Sequence, residues 1–572
     1  MTPSLRLAVA LAAFAVGAPA FALNHENVVA PIAAGPYKVA CSNIEQDTGK
    51  MIPGSVPSDY WEGRLVNDQL LYLTQILSAP QTAIVYDAVP PDDRGLYPNI
   101  ANTHVPFVAI VCYPTSSSNN DPDYVLPAGV GTVPRMQRAG QPPKLIAQNE
   151  YLQSPFTFNE EPIQRLPLVI YSHGLGGSPI GKGYIDSIVA LAAQGFMVAA
   201  PFHADNRFSR VRIENLSDVV YVLTQYERVA EMMAVRPVAL KTLVDVLLAH
   251  PDYKFGIDAD HIAGFGASLG GQAMINLLGA KLTTSVSLAC RETMRDPRIK
   301  VAVGYVPYSG QSFLPAFCDG QAGADSVDRP FLAIAGTADT TAPLKMTQQA
   351  VNRFQGSRFL VELVDGQHEL RPEDAGDLFT WMVTFYRAYL LEQPAAMAAF
   401  IRMHGVNGGR EDNLTIDAHV PTKFAAGEVK VVEVRNGDRF FLAESAAEAQ
   451  SLQAQGYTPT GYSFKAWVTP PAVDTSCHFE SPFISGADVF RPCGWSKRVG
   501  VVYDDEIGFF IQKADANGQC PVGFLQVNRL YLPRYALSRS VTTQRLVTSD
   551  SAARETAASG WILLPATMCA RP

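Results

Sequence analysis

The stretch Gly264-Phe-Gly-Ala-Ser-Leu-Gly-Gly271 constrains this chain more than any other. Gly266, Ser268 and Gly270 form the pattern G-x-S-x-G between an apolar run, His261 to Phe265, and a run with helical spacing, Gln272 to Leu278. A strand that enters a tight turn and leaves as a helix needs small residues around the turn, and the strained serine then projects its hydroxyl above the sheet edge. The unpaired N–H groups at the start of that helix face any oxygen that becomes negative beside the hydroxyl. The pentapeptide also arises by chance in glycine-bearing chains, so its meaning depends on the elements around it.

Those elements alternate. Leu166 to Ser172 reads as a buried strand emptying into His173-Gly-Leu-Gly-Gly177, and Gly195 to Ala200 follows as a second strand after a helical stretch. Tyr226 to His250 has amphipathic spacing despite Pro237. Beyond the serine turn come a strand at Val301 to Val306, a strand at Phe331 to Ala335 leading into Gly336-Thr-Ala-Asp339, and a helix from Leu344 to Phe354. The strand Arg358 to Val364 runs into the turn Asp365-Gly-Gln-His-Glu369, and a helical stretch from Gly376 to about His404 closes the unit. Upstream, residues 23 to 164 are rich in Pro, Gly, Asn and Asp; a strand at Val105 to Tyr113 and a surface excursion from Pro114 to Gln153 are expected there. The expected class is α/β, a mostly parallel sheet flanked by helices, with a smaller β-rich C-terminal domain.

In such a sheet the loops after the strands open at one edge, where ligands bind. Ser268, Asp339 and His368 each follow a strand, and nucleophile, acid, histidine is the chain order of α/β-hydrolase triads. The glycine-rich turn after Ser172 lets backbone N–H groups converge on an anion, so the N–H groups of Leu175 and Leu269 are the candidate oxyanion donors. Asp328 lies before its strand, and Asp365 is assigned to the histidine turn. His173, His203 and His250 break the triad order; His203 and Asp205 are read as core packing or loop capping rather than as pocket lining. Gly181-Lys182-Gly183 lacks the G-K-[ST] of a phosphate loop.

A chain of 572 residues exceeds the size at which one core stops growing, so two domains are expected. A formal net charge of −9 provides no electrostatic footprint for nucleic acid or an anionic membrane. Residues 1 to 22 have the cadence of a secretory signal: Arg6, an apolar run from Leu7 to Val16, then Ala20-Phe-Ala22. The run is short for a bilayer span, and export is the expectation. Eight cysteines in an exported chain suggest disulfides, paired by clustering as Cys41 with Cys112, Cys290 with Cys318, and two more among Cys477, Cys493, Cys520 and Cys569. The absence of C-x-x-C argues against structural zinc and thioredoxin-like chemistry, and no metal or organic cofactor is expected. Residues 405 to 427 read as a linker between a catalytic unit, 23 to 404, and a β-rich module, 428 to 572. That module carries a weak repeat of roughly 50 residues: Tyr457 before Tyr462 to Trp467, Tyr503 before Ile507 to Ile511, and Trp561 before Ala566 to Cys569.

On Gly35-Pro-Tyr-Lys-Val39, Ser172-His-Gly-Leu-Gly176, Gly195 to Ala200, the serine turn and Gly336-Thr-Ala-Asp339, the segment from about Gly35 to His404 resembles the α/β-hydrolases related to platelet-activating-factor acetylhydrolase and dienelactone hydrolase. The resemblance implies ester hydrolysis through an acyl-enzyme, on a phospholipid acyl ester, a short-chain ester or a polyester. Dienelactone hydrolases proper use a cysteine, so Ser268 favours ordinary esters. A serine peptidase and a non-catalytic surface-binding protein are the alternatives. The C-terminal module resembles a cysteine-containing repeat unit of secreted bacterial proteins. Its aromatics suit a core better than a polymer- or cell-surface-binding face.

Overall fold

The short apolar runs of the middle of the chain become strands buried on both faces, the burial expected of a parallel sheet covered by helices on either side. The structure is a computed structural model and describes residues 28–571 except 125, 127–135, 139–141, 147–164, 182, 211–215, 392–395, 397–399, 401–402, 419–427, 438, 445, 468–474, 481–488, 493–505, 516, 522–523, 533–542, 548–552, 554–555 and 558–559. The expected signal segment, Tyr503 and Cys493 lie outside the described residues.

The central sheet is built from β1 (Val39–Cys41), β2 (Ile84–Ala88), β3 (Val105–Pro114), β4 (Gln137–Arg138), β5 (Leu166–Ser172), β6 (Met197–Phe202), β7 (Ile257–Ala267), β8 (Ile299–Tyr305), β9 (Phe331–Gly336), β10 (Arg358–Leu363) and β11 (Asp412–Ala418). Its order is β11-β10-β9-β8-β7-β5-β6-β3-β1-β4, with β2 also on β3. From β6 to β10 every neighbouring pair is parallel. The N-terminal strands extend the sheet antiparallel from β6 through β3. Because β6 lies on one side of β5 and β7 on the other, the chain changes direction of winding at β5, and a crevice opens beyond the carboxyl ends of β5 and β7.

Helices cover both faces: α1 (Tyr184–Ala193), α2 (Tyr226–Ala249), α3 (Leu269–Leu277), α4 (Leu344–Arg353) and α5 (Pro372–Phe385). Alternate residues of β5 sort to opposite cores. Leu168 and Ile170 pack with α2 and α3 residues such as Leu240 and Met274, whereas Val169 and Tyr171 pack with α1 and α5 residues such as Ile188 and Trp381. This period-two division requires helices on both faces.

The sequence predicts a linker over residues 405 to 427, but Gly405–Val406 is a short strand and β11 pairs antiparallel with β10, Leu414 opposite Val361 and Asp412 opposite Leu363; residues 419–427 of that stretch lie outside the described residues. His368 therefore does not follow the last strand of the sheet. The alternation of Asp412-Asn-Leu-Thr-Ile-Asp-Ala418 is that of a half-exposed edge strand, a weaker signal than the buried runs before it. Its docking is polar: Trp381 Nε1 donates to Asp412 Oδ2, and Arg410 pairs with Asp374 and Glu373.

Disulfides join Cys41 to Cys112, Cys290 to Cys318 and Cys520 to Cys569. The first staples directly opposed residues of β1 and β3. A second, nine-stranded sheet is antiparallel throughout its described pairings: β12 (Glu428–Asn436), β13 (Arg439–Ala443), β14 (Thr458–Trp467), β15 (Thr475–Glu480), β16 (Val489–Pro492), β17 (Glu506–Lys513), β18 (Leu525–Leu532), β19 (Thr543–Val547) and β20 (Ile562–Ala570). The segments that carry the weak repeat lie in β14, β17 and β20, which are neighbours. Phe464, Phe509, Ile511, Val527 and Met568 are buried together there, which places aromatics of two of these segments in a core.

Candidate active site

Four loops meet beyond the carboxyl ends of the parallel strands. Ser268 occupies the turn between β7 and α3 at φ 53° and ψ −118°, a backbone region that a non-glycine residue holds only where the surroundings force it. The packing of the turn supplies that force. A Cβ at Gly266 would lie 2.2 Å from the carbonyl oxygen of Gly270, so any side chain there would push the turn open. Ser268 N–H donates to the Tyr305 carbonyl at 2.9 Å, and its own carbonyl accepts the N–H groups of Tyr308 at 3.0 Å and Gln272 at 3.2 Å.

His368 stands in the loop after β10 with Nε2 2.9 Å from Ser268 Oγ and Nδ1 2.8 Å from Asp339 Oδ2. Asp339 follows β9, its carboxylate fully buried, and its other oxygen accepts the N–H groups of Thr341 and Ala342, each at 2.8 Å. The acid and histidine loops are tied by backbone: Ala338 N–H donates to the Gly366 carbonyl at 2.9 Å, and Asp365 N–H to Thr337 Oγ1 at 2.8 Å. Of the two competing acids, Asp328 pairs with Arg295 at 2.7 Å, and Asp365 is exposed, held in the turn through its backbone N–H.

The loop after β5 approaches the serine closely; a Cβ at Gly174 would stand 3.4 Å from Ser268 Cβ. Among the described residues neither the Leu175 N–H nor the Leu269 N–H has an acceptor in the protein. Leu269 opens α3, where no intrahelical acceptor exists.

Beneath that loop lies a polar cluster centred on a residue that the sequence reading did not single out. Arg236, on α2, is fully buried and grips Asp205 through Nε at 3.0 Å and Nη2 at 2.6 Å. The same guanidinium donates to the carbonyls of His173 and Gly174 and to Ser172 Oγ. His203 Nε2 lies 2.8 Å from Ser172 Oγ, and His203 N–H donates to His173 Nε2 at 3.2 Å. Burial and the Arg236 charge push the His173 pKa down to about 4, and burial likewise drives His203 well below the usual histidine range, so both rings are neutral. Asp205 also accepts the Gly176 N–H at 3.3 Å, a loop-capping role. A signal for Arg236 did exist: it is the lone charge in Ala234-Val-Arg-Pro-Val-Ala-Leu240, and a charge so placed needs a buried partner.

Residues 147–216 match the family model of platelet-activating factor acetylhydrolase, isoform II. The match spans about an eighth of the chain and includes β5, the loop after it, β6 and Asp205, while Ser268, Asp339 and His368 lie outside it. It supports a lipid or ester hydrolase of that kind. No curated protein matches the chain.

Proposed function

We propose that this protein is a secreted serine hydrolase of the α/β-hydrolase fold that cleaves carboxylic esters through an acyl-enzyme, with Ser268 as nucleophile, His368 as base and Asp339 as its orienting acid. The observation that carries the reading is the continuous relay from Ser268 Oγ through His368 Nε2 and Nδ1 to Asp339 Oδ2, at 2.9 and 2.8 Å. His368 takes the hydroxyl proton as Ser268 attacks the ester carbonyl, and returns it to the leaving alcohol. Asp339 accepts from Nδ1–H, which keeps Nε2 free to accept and steadies the imidazolium. The N–H groups of Leu175 and Leu269 receive the oxyanion, and water then releases the acyl group by the same route reversed.

The partial family match favours a lipid or short acyl ester, and a polyester remains within the same chemistry. The three disulfides among the described residues are compatible with an oxidising compartment outside the cytoplasm, and no helix among those residues is long and apolar enough to cross a membrane. Residues 428–572 form an accessory β-rich unit in this reading. Fluorophosphonate labelling tests the nucleophile: the wild-type chain is labelled and hydrolyses p-nitrophenyl acetate, and Ser268→Ala abolishes both while the protein stays folded. A folded Ser268→Ala chain that is still labelled at an active-site serine would move the nucleophile elsewhere.

A further inference from the structure

Taking two ions out of water carries a desolvation penalty that their mutual attraction barely offsets, so a buried pair is weak evidence for stability. The Arg236–Asp205 pair, with side chains 0% and 2% exposed, therefore calls for another reason to exist. Its contacts supply one. Arg236 Nη2 donates to the Gly174 carbonyl at 3.2 Å, and the same oxygen accepts from His173 Nδ1 at 2.8 Å and from the Gly177 N–H at 3.3 Å. In a trans peptide the carbonyl and the N–H of the linked residues point in opposite directions. A Gly174 carbonyl aimed at Arg236 thus turns the Leu175 N–H away from it, to where that N–H has no acceptor among the described residues. Asp205 Oδ2 holds the next N–H, that of Gly176, so both peptides flanking Leu175 are tied to the one ion pair.

We propose that Arg236 and Asp205 are positioning residues for oxyanion binding: the pair locks the Gly174–Leu175 peptide so that the Leu175 N–H faces the carbonyl attacked by Ser268. The neutral rings of His173 and His203 complete the lock, one donating to the Gly174 carbonyl and the other contacting Ser172 Oγ. The proposal rests on the serine-hydrolase reading above and adds a specific demand to it. Rotating that peptide leaves Ser268, His368 and Asp339 in contact yet removes one oxyanion donor.

The test compares a short-chain aryl ester with its thionoester, in which sulfur replaces the carbonyl oxygen and accepts hydrogen bonds poorly, using the full-length protein. Arg236→Lys keeps the cation and loses the planar fork that serves two carbonyls and Asp205 together. Asp205→Asn is nearly isosteric and loses the charge that holds the guanidinium, so it carries the test should the lysine variant fail to fold. Each folded variant is expected to lose roughly 100-fold in ester kcat with little change in KM, the scale of one oxyanion donor. The thionoester should lose far less, so the wild-type preference for the ester collapses by about tenfold or more. A merely structural role lowers both substrates together. Folded variants that retain the wild-type ester-to-thionoester ratio overturn the proposal, whatever their kcat. A wild-type chain that neither hydrolyses esters nor labels at Ser268 overturns the underlying reading as well; hydrolysis lost in Ser268→Ala with the ratio unmoved in the Arg236 and Asp205 variants overturns only this one.

Discussion

Asp339 divides its carboxylate between His368 on one oxygen and two backbone N–H groups on the other, so its orientation is fixed before any substrate arrives. Asp339→Asn keeps that shape but can present an N–H to Nδ1, which favours the imidazole tautomer with Nε2 protonated and unable to accept from Ser268. Ester kcat should fall by about 10³–10⁴-fold with only a small change in thermal stability. A kcat within about tenfold of wild type would remove Asp339 from the proposed relay. At this scale Ser268, Asp339 and His368 were legible as candidates because each follows a strand in a fixed order and carries a side chain whose chemistry suits its proposed role. Arg236 was harder to find: its partners Asp205 and His173 lie 31 and 63 positions away, and nothing local in a helix announces what a distant loop will present to it.

At the scale of elements, the unexpected one is β11. Its approach is held by α5, where Asp374 pairs with Arg410 and Asp377 accepts the Arg410 N–H at 2.9 Å. Burial, reinforced by the carboxylates of Asp412 and Asp374 and opposed by Arg410, raises the Asp377 pKa to about 7 from the ordinary 3.8. The native state thus keeps a proton on Asp377 between about pH 4 and pH 7 that the unfolded chain has released, so this group's contribution to stability falls as pH rises through that window. Asp377→Asn should therefore melt a few degrees above wild type near pH 8, and the two should converge below about pH 3, where both states of the wild type are protonated. Calorimetry at the two pH values checks this; a difference that does not depend on pH would contradict the assigned cause.

At the scale of the whole molecule, the two large sheets among the described residues have separate buried clusters. Every residue of the proposed relay and oxyanion site hangs on the central sheet, whose cores are closed by its own helices, while the antiparallel sheet buries Val431, Phe464, Phe509 and Met568 among themselves. A chain ending near residue 427, beyond β11, should fold and retain kcat/KM on a small soluble ester within about threefold of full length. A cut at 404 removes β11 and exposes the edge of β10, and that shorter chain should be markedly less stable or aggregate. If the two truncations behave alike, β11 is not integral to the catalytic unit.

The sequence by itself determined the alternation of strands and helices, the serine turn and the order of the three proposed relay residues, because these depend on short-range sterics and on apolar periods that are written locally; the pairs Cys41–Cys112 and Cys290–Cys318 were suggested only by the clustering of an even number of cysteines. The tertiary structure alone decided that residues 412–418 close the sheet edge and that Arg236 reaches under the loop after β5. Both depend on polar groups whose only route to satisfaction runs through partners far along the chain. A buried carbonyl or guanidinium must find a partner, but the chain does not spell out which one until it has folded.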